Sequence, residues 1–138
     1  MDLRHRDTIG RYIGKISRRA HLFLTKELSE HNCDIAPGQL MFLMLLYSTD
    51  GVRQDEFSQT FNIDKGNTTK SIKKLEEQGF IFRVRNSEDK RAYNVYLSEK
   101  AIELKPVIFS ILQKLDDLLG KNLTDKEYEQ LISLLKKI

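Results

Sequence analysis

Forty consecutive residues, Gln54 to Tyr93, decide the fold of this chain, and they read QDEFSQTFNIDKGNTTKSIKKLEEQGFIFRVRNSEDKRAY. The pattern predicts a short helix over residues 54–61 and a second helix that begins after Asp64 and ends at Gly79. Aspartate favours helix starts, glycine favours helix ends, and Asn62 suits the turn because asparagine tolerates left-handed backbone angles. The stretch is therefore typical of a helix-turn-helix.

A β-hairpin is predicted directly after this helix pair. Residues 80–85 and 91–97 are strand-like, and the second segment alternates Tyr93, Val95 and Leu97 with more polar positions. The loop between the two segments is too polar to pack against a core. It reads Asn86-Ser87-Glu88-Asp89-Lys90-Arg91.

The second helix of the pair divides into two faces when its residues are placed at about 100° per residue. The inward face is Thr68, Ser71, Ile72 and Leu75. The outward face is Gly66, Asn67, Lys70, Lys73 and Lys74. Between Lys65 and Lys74 there are four lysines and no acid. A cationic outward face is what a recognition helix needs to enter the major groove of DNA, although a solvated surface is the alternative interpretation.

Six residues of this helix have expected partners on DNA. Asn67 is expected to pair with adenine and Lys70 to donate to guanine, while Thr69 faces a thymine methyl or a phosphate. The expected phosphate contacts are Lys65, Lys73 and Lys74.

The hairpin loop is also basic, with Arg83, Arg85, Lys90 and Arg91 around it. An arginine at such a tip can enter the narrow minor groove, where the negative potential is strongest. Asp89 stands two residues before Arg91. It either holds that guanidinium in place or is simply a turn-forming residue.

Helical periodicity dominates both ends of the chain. The predicted helices there cover residues 9–31, 37–47, 98–119 and 124–138. Pro106 is expected to kink the third of these, and Thr124 with Glu127 forms a capping box for the last. The terminal helices carry more apolar surface than one chain can cover, which predicts self-association.

Composition agrees with a globular protein of one domain. The chain has 138 residues, 40% of them hydrophobic and 31% charged, and its net charge is +3. The sequence shows no secretory signal and no apolar run long enough for a bilayer, and its single cysteine is Cys33. We therefore expect a cytoplasmic protein. No phosphate loop, nucleophile motif or carboxylate pair indicates an enzyme.

The chain resembles the MarR family of winged helix-turn-helix regulators over nearly its whole length. The resemblance is carried by residues 64–81, by Asp89-Lys90-Arg91 and by residues 95–101. It implies a mainly α (α+β) homodimer in which 1–138 is a single domain. Residues 1–35 and 98–138 would be dimerisation helices, and residues 36–97 the DNA-binding winged head. It also implies that Arg91 is the minor-groove arginine and Asp89 its orienting residue. Ala36 departs from the usual serine or threonine helix cap.

The resemblance further implies a small aromatic or phenolic effector in the crevice between the dimer helices and the head. The candidate residues are Tyr12, Arg18, Met44 and Tyr47, with Arg11, Lys15, Ile16 and Phe109 nearby. Such residues at helical spacing are also ordinary core residues. Redox sensing by Cys33 is disfavoured because Asp34 is adjacent, and the histidines His5, His21 and His31 form no zinc-binding pattern with it.

The sequence therefore predicts a sequence-specific transcriptional regulator, a ligand-responsive repressor that binds a pseudo-palindromic operator as a homodimer. The alternative is a winged-helix adaptor that binds protein rather than DNA. The two differ in their response to salt, because a DNA reader loses affinity steeply as salt rises.

Overall fold

The computed structural model describes Arg4 and residues 6–138. In that part of the chain it has six α-helices and a three-stranded antiparallel sheet. The elements are α1 (Ile9–Glu30), α2 (Pro37–Ser48), β1 (Val52–Arg53), α3 (Gln54–Phe61), α4 (Lys65–Glu77), β2 (Ile81–Arg85), β3 (Tyr93–Leu97), α5 (Glu99–Gly120) and α6 (Asp125–Leu135). The predicted fold class, mainly α with a winged helix-turn-helix, is confirmed.

The helix-turn-helix forms where local signals predicted it. Asn62 takes left-handed angles, with φ 52° and ψ 47°, and so ends α3. The Asp64 side chain then accepts a hydrogen bond from the Asn67 backbone N–H at 2.7 Å and starts α4. Gly79 follows α4 with φ 79°, a positive φ that is strained for most residues. Glycine adopts it with little strain because it has no Cβ.

The sheet has the order β1-β3-β2, and its hairpin is the wing, residues 81–97. Its strands pair from Ile81 opposite Leu97 to Arg85 opposite Tyr93. β1 was not predicted; it is only two residues long, too short to show alternation, and it forms by pairing Val52 with Val95.

One continuous hydrophobic core joins the head to α1 and α5. Within the head, Phe42 stacks on Phe57 with ring centroids 5.3 Å apart. Leu28 of α1 and Ile108 of α5 are fully buried in the same cluster. Packing of α1 and α5 against the head therefore fixes the orientation of the DNA-binding elements relative to these two helices.

The start of α2 has a cap that was not predicted from the sequence. Ala36 offers no side-chain acceptor, as expected, but the Gln39 Oε1 accepts a hydrogen bond from the Ala36 backbone N–H at 2.9 Å. The buried Gln39 also donates to the Gln78 side chain at 3.3 Å, and Gln78 donates to the Asp34 carbonyl. These bonds connect the end of α4 to the loop between α1 and α2.

The long helix α5 passes through Pro106 without ending there and is capped at its start by Ser98. α6 begins with the predicted capping box of Thr124 and Glu127. Across the described residues, none of these helices combines the length and apolar character needed to cross a membrane.

Candidate nucleic-acid interface

The two faces predicted for α4 are present. Thr68, Ile72 and Leu75 are buried and Ser71 is half-buried. The Thr68 hydroxyl donates to the Asp64 carbonyl at 3.0 Å and accepts from the Ser58 hydroxyl at 2.9 Å, which satisfies a polar group in the contact between α3 and α4. The outward residues are all exposed, namely Lys65, Gly66, Asn67, Lys70, Lys73 and Lys74.

Two of the residues expected to contact DNA are already engaged within the helix. The Asn67 Nδ2 donates to the Asp64 Oδ2 at 2.8 Å, so its amide would have to leave Asp64 to pair with adenine through both atoms. The Thr69 hydroxyl donates to the Lys65 carbonyl at 2.8 Å. Lys70 follows Thr69 on the helix and is exposed.

Two arginines of the wing contact the head or the wing itself rather than extending freely into solvent. The Arg83 guanidinium binds the Glu76 carboxylate, with Nε 3.2 Å from Oε2, and lies 4.7 Å from the centre of the Tyr93 ring. Arg85 also lies over Tyr93, at 5.6 Å, and donates to its hydroxyl at 3.2 Å. Their roles as DNA contacts stay predictions, and Arg83 would have to release Glu76 to fulfil its role.

The loop of the wing is organised by Asn86, for which no role was predicted from the sequence. Its Oδ1 accepts hydrogen bonds from the backbone N–H groups of Glu88 and Asp89 at 2.9 and 3.0 Å. Its Nδ2 donates to the Asn94 side chain at 3.0 Å. This is the local turn chemistry of asparagine, so the signal was present at the first position of the loop.

Of the two roles considered for Asp89, its contacts favour the turn-forming one. Its Oδ1 accepts from the backbone N–H of Arg91 at 3.1 Å, and its Oδ2 lies 3.6 Å from Nη2 of Arg53. The short aspartate side chain reaches the backbone two residues ahead, while Arg53 approaches from β1. In the described part of the chain, the Arg91 guanidinium makes no hydrogen bond or ion pair. Asp89 thus contacts the backbone of Arg91 and not its guanidinium, and its role as the orienting residue of Arg91 stays a prediction.

A cleft of about 450 Å³ lies between α4 and the wing. The basic residues that line it are Arg53, Lys65, Arg83 and Arg91. Asp55 and Asp89 add two carboxylates, and Thr69 lies on the α4 side. The recognition helix and the wing thus border one concave, mainly cationic surface suited to a polyanion.

Comparison with known proteins identifies the family. The MarR family model matches residues 35–93. The solved structure of a MarR transcriptional regulator from Methanosarcina mazei Go1 is 33% identical, with a TM-score of 0.86, and the match covers 93% of this chain and 91% of that one. The chain belongs to the MarR family of transcriptional regulators. The resemblance stated from the sequence is confirmed, and so is the function of a DNA-binding transcriptional regulator.

Other relatives agree with this assignment. The HTH-type transcriptional regulator BilQ of Clostridium symbiosum is 31% identical over 85% of this chain and 80% of its own length. A cysteine-to-serine mutant of MarR from E. coli, solved in complex with operator DNA, is 28% identical with a TM-score of 0.84. That match covers 94% of this MarR-family chain and 91% of the E. coli chain.

The structure divides the residues predicted to bind an effector. Tyr12 is 46% exposed and its hydroxyl donates to the Asp7 carboxylate at 2.7 Å, whereas Met44 and Tyr47 pack against the core. Arg18 lies on α1, one turn after Gly14. Over the residues described, no hydrogen bond, ion pair or ring contact joins Tyr12 or Arg18 to Met44 or Tyr47. An effector site made of all four stays a prediction.

The surroundings of Tyr47 predict that the stability of this regulator depends on alkaline pH. Its hydroxyl donates to the Ala101 carbonyl at 2.6 Å, and burial, with a smaller effect of Cys33, raises the pKa of Tyr47 from 10.0 to about 12. Between these two pH values the unfolded chain releases the phenolic proton and the folded chain keeps it, so the free energy of unfolding falls as pH rises.

We therefore expect Tyr47→Phe to remove part of this alkaline loss, on the order of 1 kcal/mol after solvent screening is allowed for. The check is the difference between wild-type and Tyr47→Phe unfolding free energies from pH 9 to 12, roughly the window set by the ordinary and raised pKa values. A constant difference across that range would contradict the assignment.

Cys33 lies in a setting that disfavours the thiolate. It is buried, which raises the pKa of its thiol, and its Sγ lies 3.7 Å from the His31 carbonyl oxygen. Among the residues that the structure describes, no group of three or more histidine, cysteine or acidic side chains could hold a metal ion. His5 lies outside the described residues.

Proposed function

We propose that this MarR-family regulator is a repressor that binds a pseudo-palindromic operator as a homodimer and releases it when a small aromatic or phenolic effector binds. The observation that carries the DNA-binding geometry is the cleft between α4 and the wing. Lys65, an exposed lysine at the start of α4, lies on one side of it, and the Arg91 guanidinium, which no described residue binds, lies on the other. Because its target would be chromosomal DNA, the proposed place of action is the cytoplasm.

The recognition helix and the wing would contact different grooves of DNA. The exposed start of α4 carries Asn67 and Lys70 into the major groove, where base edges can be read directly. Arg91, at the end of the wing loop, would enter the adjacent minor groove. The E. coli MarR mutant, a protein with the same fold, was solved in complex with operator DNA, which supports operator binding by this chain.

Unburied apolar side chains on the terminal helices support the homodimer. On α1, Ile9 is 67% exposed and Ile16 is 48% exposed, and α6 has no buried residue at all. The exposed apolar residues of α6 and the chain end are Leu131, Leu134, Leu135 and Ile138. A second copy would cover these faces and place two recognition helices roughly 34–36 Å apart, one turn of DNA.

An aromatic and basic cluster near α2 and α5 supports the effector part of the proposal. Tyr47 and Phe109 make an edge contact with centroids 5.8 Å apart. The Lys105 ammonium lies 5.3 Å from the Phe109 ring centre. Aromatic walls beside a cation are suited to an aromatic acid. Met44 borders the same core, and Tyr12 and Arg18 would have to reach the effector from α1.

The direct test is selection of duplexes from a random pool by the full chain. We expect an inverted-repeat consensus whose half-site centres lie about 10 to 10.5 base pairs apart, with affinity that falls steeply as salt rises. Failure to enrich any duplex at low salt would contradict the proposal. A consensus without inverted symmetry would contradict the homodimeric part alone.

Substitutions on α4 test which residues read bases. Asn67→Ala and Lys70→Ala should each cost about 1–3 kcal/mol of discrimination at one base pair of the half-site. The Asn67 backbone N–H donates to the Asp64 cap whatever the side chain, so Asn67→Ala keeps the start of the helix.

Lys73→Ala is the control for these α4 substitutions, because Lys73 is an expected phosphate contact on the same exposed face. It should weaken all sequences equally and lower the salt slope by about 1. A uniform loss for Asn67→Ala and Lys70→Ala as well would assign both residues to the DNA backbone.

A further inference from the structure

We propose that Arg53 is a positioning residue for the wing, because it holds the carboxylate that fixes the backbone at Arg91. This inference rests on the proposed operator binding and assigns a role to a residue that lies outside both the recognition helix and the hairpin. Arg53 is the last residue of β1 and directly precedes α3.

The Arg53 guanidinium is itself held in place. Its Nε and Nη2 donate to the two carboxylate oxygens of Asp55, each at 3.1 Å, which is a bidentate arginine–carboxylate pair. Nη2 also lies 3.6 Å from the Asp89 Oδ2. The guanidinium therefore joins the start of α3 to the loop of the wing.

Asp89 connects Arg53 to Arg91, the residue that would enter DNA. While its Oδ2 faces Arg53, its Oδ1 accepts the hydrogen bond from the Arg91 backbone N–H at 3.1 Å. β1 pairs with β3 at Val52 and Arg53, and the Arg53–Asp89 ion pair adds a contact in the loop beyond the paired strands. A loop held at this point loses less conformational freedom when Arg91 is inserted.

Helix capping does not explain why an arginine is present at position 53. Arg53 occupies the N-cap position of α3, where small polar and acidic residues are favoured, and its side chain makes no capping hydrogen bond. The rival role is a direct phosphate contact, since Arg53 also lines the cleft beside Lys65 and Arg91. The two roles predict different results in a double-mutant cycle.

The test is operator affinity of the full-length chain carrying Arg53→Gln, Asp89→Asn or both. Changes of net charge near DNA contribute additively and cancel in the cycle, so the remaining coupling measures the ion pair. For a pair this exposed we expect about a two- to fivefold coupling per half-site. The matched control is the cycle of Arg53→Gln with Glu88→Gln, which makes the same charge changes on the adjacent acid and should show no coupling.

Base preference provides a second readout. Arg53→Gln should reduce the A·T preference at the positions reached by the wing and leave preferences at the α4 positions unchanged. Arg53→Lys keeps the charge but not the bidentate geometry, so it should also reduce the A·T preference. If the Arg53→Gln variant does not fold, Arg53→Lys takes its place in the test.

Three outcomes would overturn the inference. Additive effects of Arg53→Gln and Asp89→Asn would assign Arg53 to a phosphate contact, and so would uniform weakening without any change in A·T preference. In both cases the wild type still binds its operator, and the proposed function stands. A wild-type chain that binds no duplex would overturn the proposed function and this inference together.

Discussion

Replacing Arg91 with alanine is expected to weaken operator binding by about 1–3 kcal/mol per half-site and to abolish the A·T preference at the edge of each half-site. The physical reason is that Arg91 has a fixed backbone and an unengaged side chain. Its N–H is bound by Asp89, whereas its guanidinium makes no hydrogen bond or ion pair to any residue described in the structure. Its charge is therefore available to DNA without breaking an internal contact.

The measurement is operator affinity at fixed salt, combined with a footprint of the flanking minor groove. Lys90→Ala is the matched control, because it removes the adjacent exposed cation of the same loop. It should lower the salt dependence and keep the A·T preference. An unchanged footprint and an unchanged preference for Arg91→Ala would show that the wing tip does not enter the groove.

Local signals in the sequence account for the elements that were predicted well. The predicted bounds of α3 match the structure, and the cap at Asp64 and the turn at Asn62 form as expected. These features depend on residues within one helical turn of each other. Their energetics are therefore contained in a short stretch of sequence and can be inferred from it.

The features that were missed depend on residues far apart in the chain. β1 exists because Val52 pairs with Val95, and two residues alone carry no strand pattern. The second partner of Asp89 is Arg53, on another strand, so the short Asp-x-Arg spacing suggested a contact with Arg91 instead. The contact between Arg83 and Glu76 was not predicted, because only the fold brings these two residues together.

The effector site is the least predictable part of the molecule for a related reason. Tyr12 and Tyr47 both follow helical spacing, but only Tyr47 lies against the core, with its hydroxyl bound to the Ala101 carbonyl. Helical periodicity indicates that a residue is on an apolar face. It does not indicate whether that face packs against the same chain, a second copy or a small molecule.

The double substitution Leu131→Glu, Leu135→Glu is expected to convert the proposed homodimer into a folded monomer. It places two carboxylates on the apolar face of α6. The two leucines are 41% and 45% exposed in the single chain, and α6 contributes no residue to the buried core. Their replacement should therefore leave the fold of one chain intact. Glutamates in an apolar interface would be charged and unpaired, which strongly disfavours association.

Substitution is a sharper test than truncation after Ser98. Truncation would also remove Ala101, Ile108 and Ile111, which are buried in the core that supports the head. A truncated chain that failed to dimerise could simply have failed to fold. The doubly substituted chain keeps all three residues, so its helical content and cooperative unfolding can be compared directly with those of the wild type.

The doubly substituted chain should bind the full operator about 10²- to 10⁴-fold more weakly than the wild type, because the second head no longer benefits from the effective concentration that dimerisation provides. Its affinity for a single half-site should be nearly unchanged. The matched control is Gln130→Glu with Ser133→Glu, which adds the same charge at exposed polar positions of α6 and should remain dimeric. Molar mass in solution and affinity for full and half operators separate these cases. If the Leu131→Glu, Leu135→Glu chain stays dimeric, the dimer interface lies elsewhere. If it is a monomer with undiminished operator affinity, the two heads bind DNA independently.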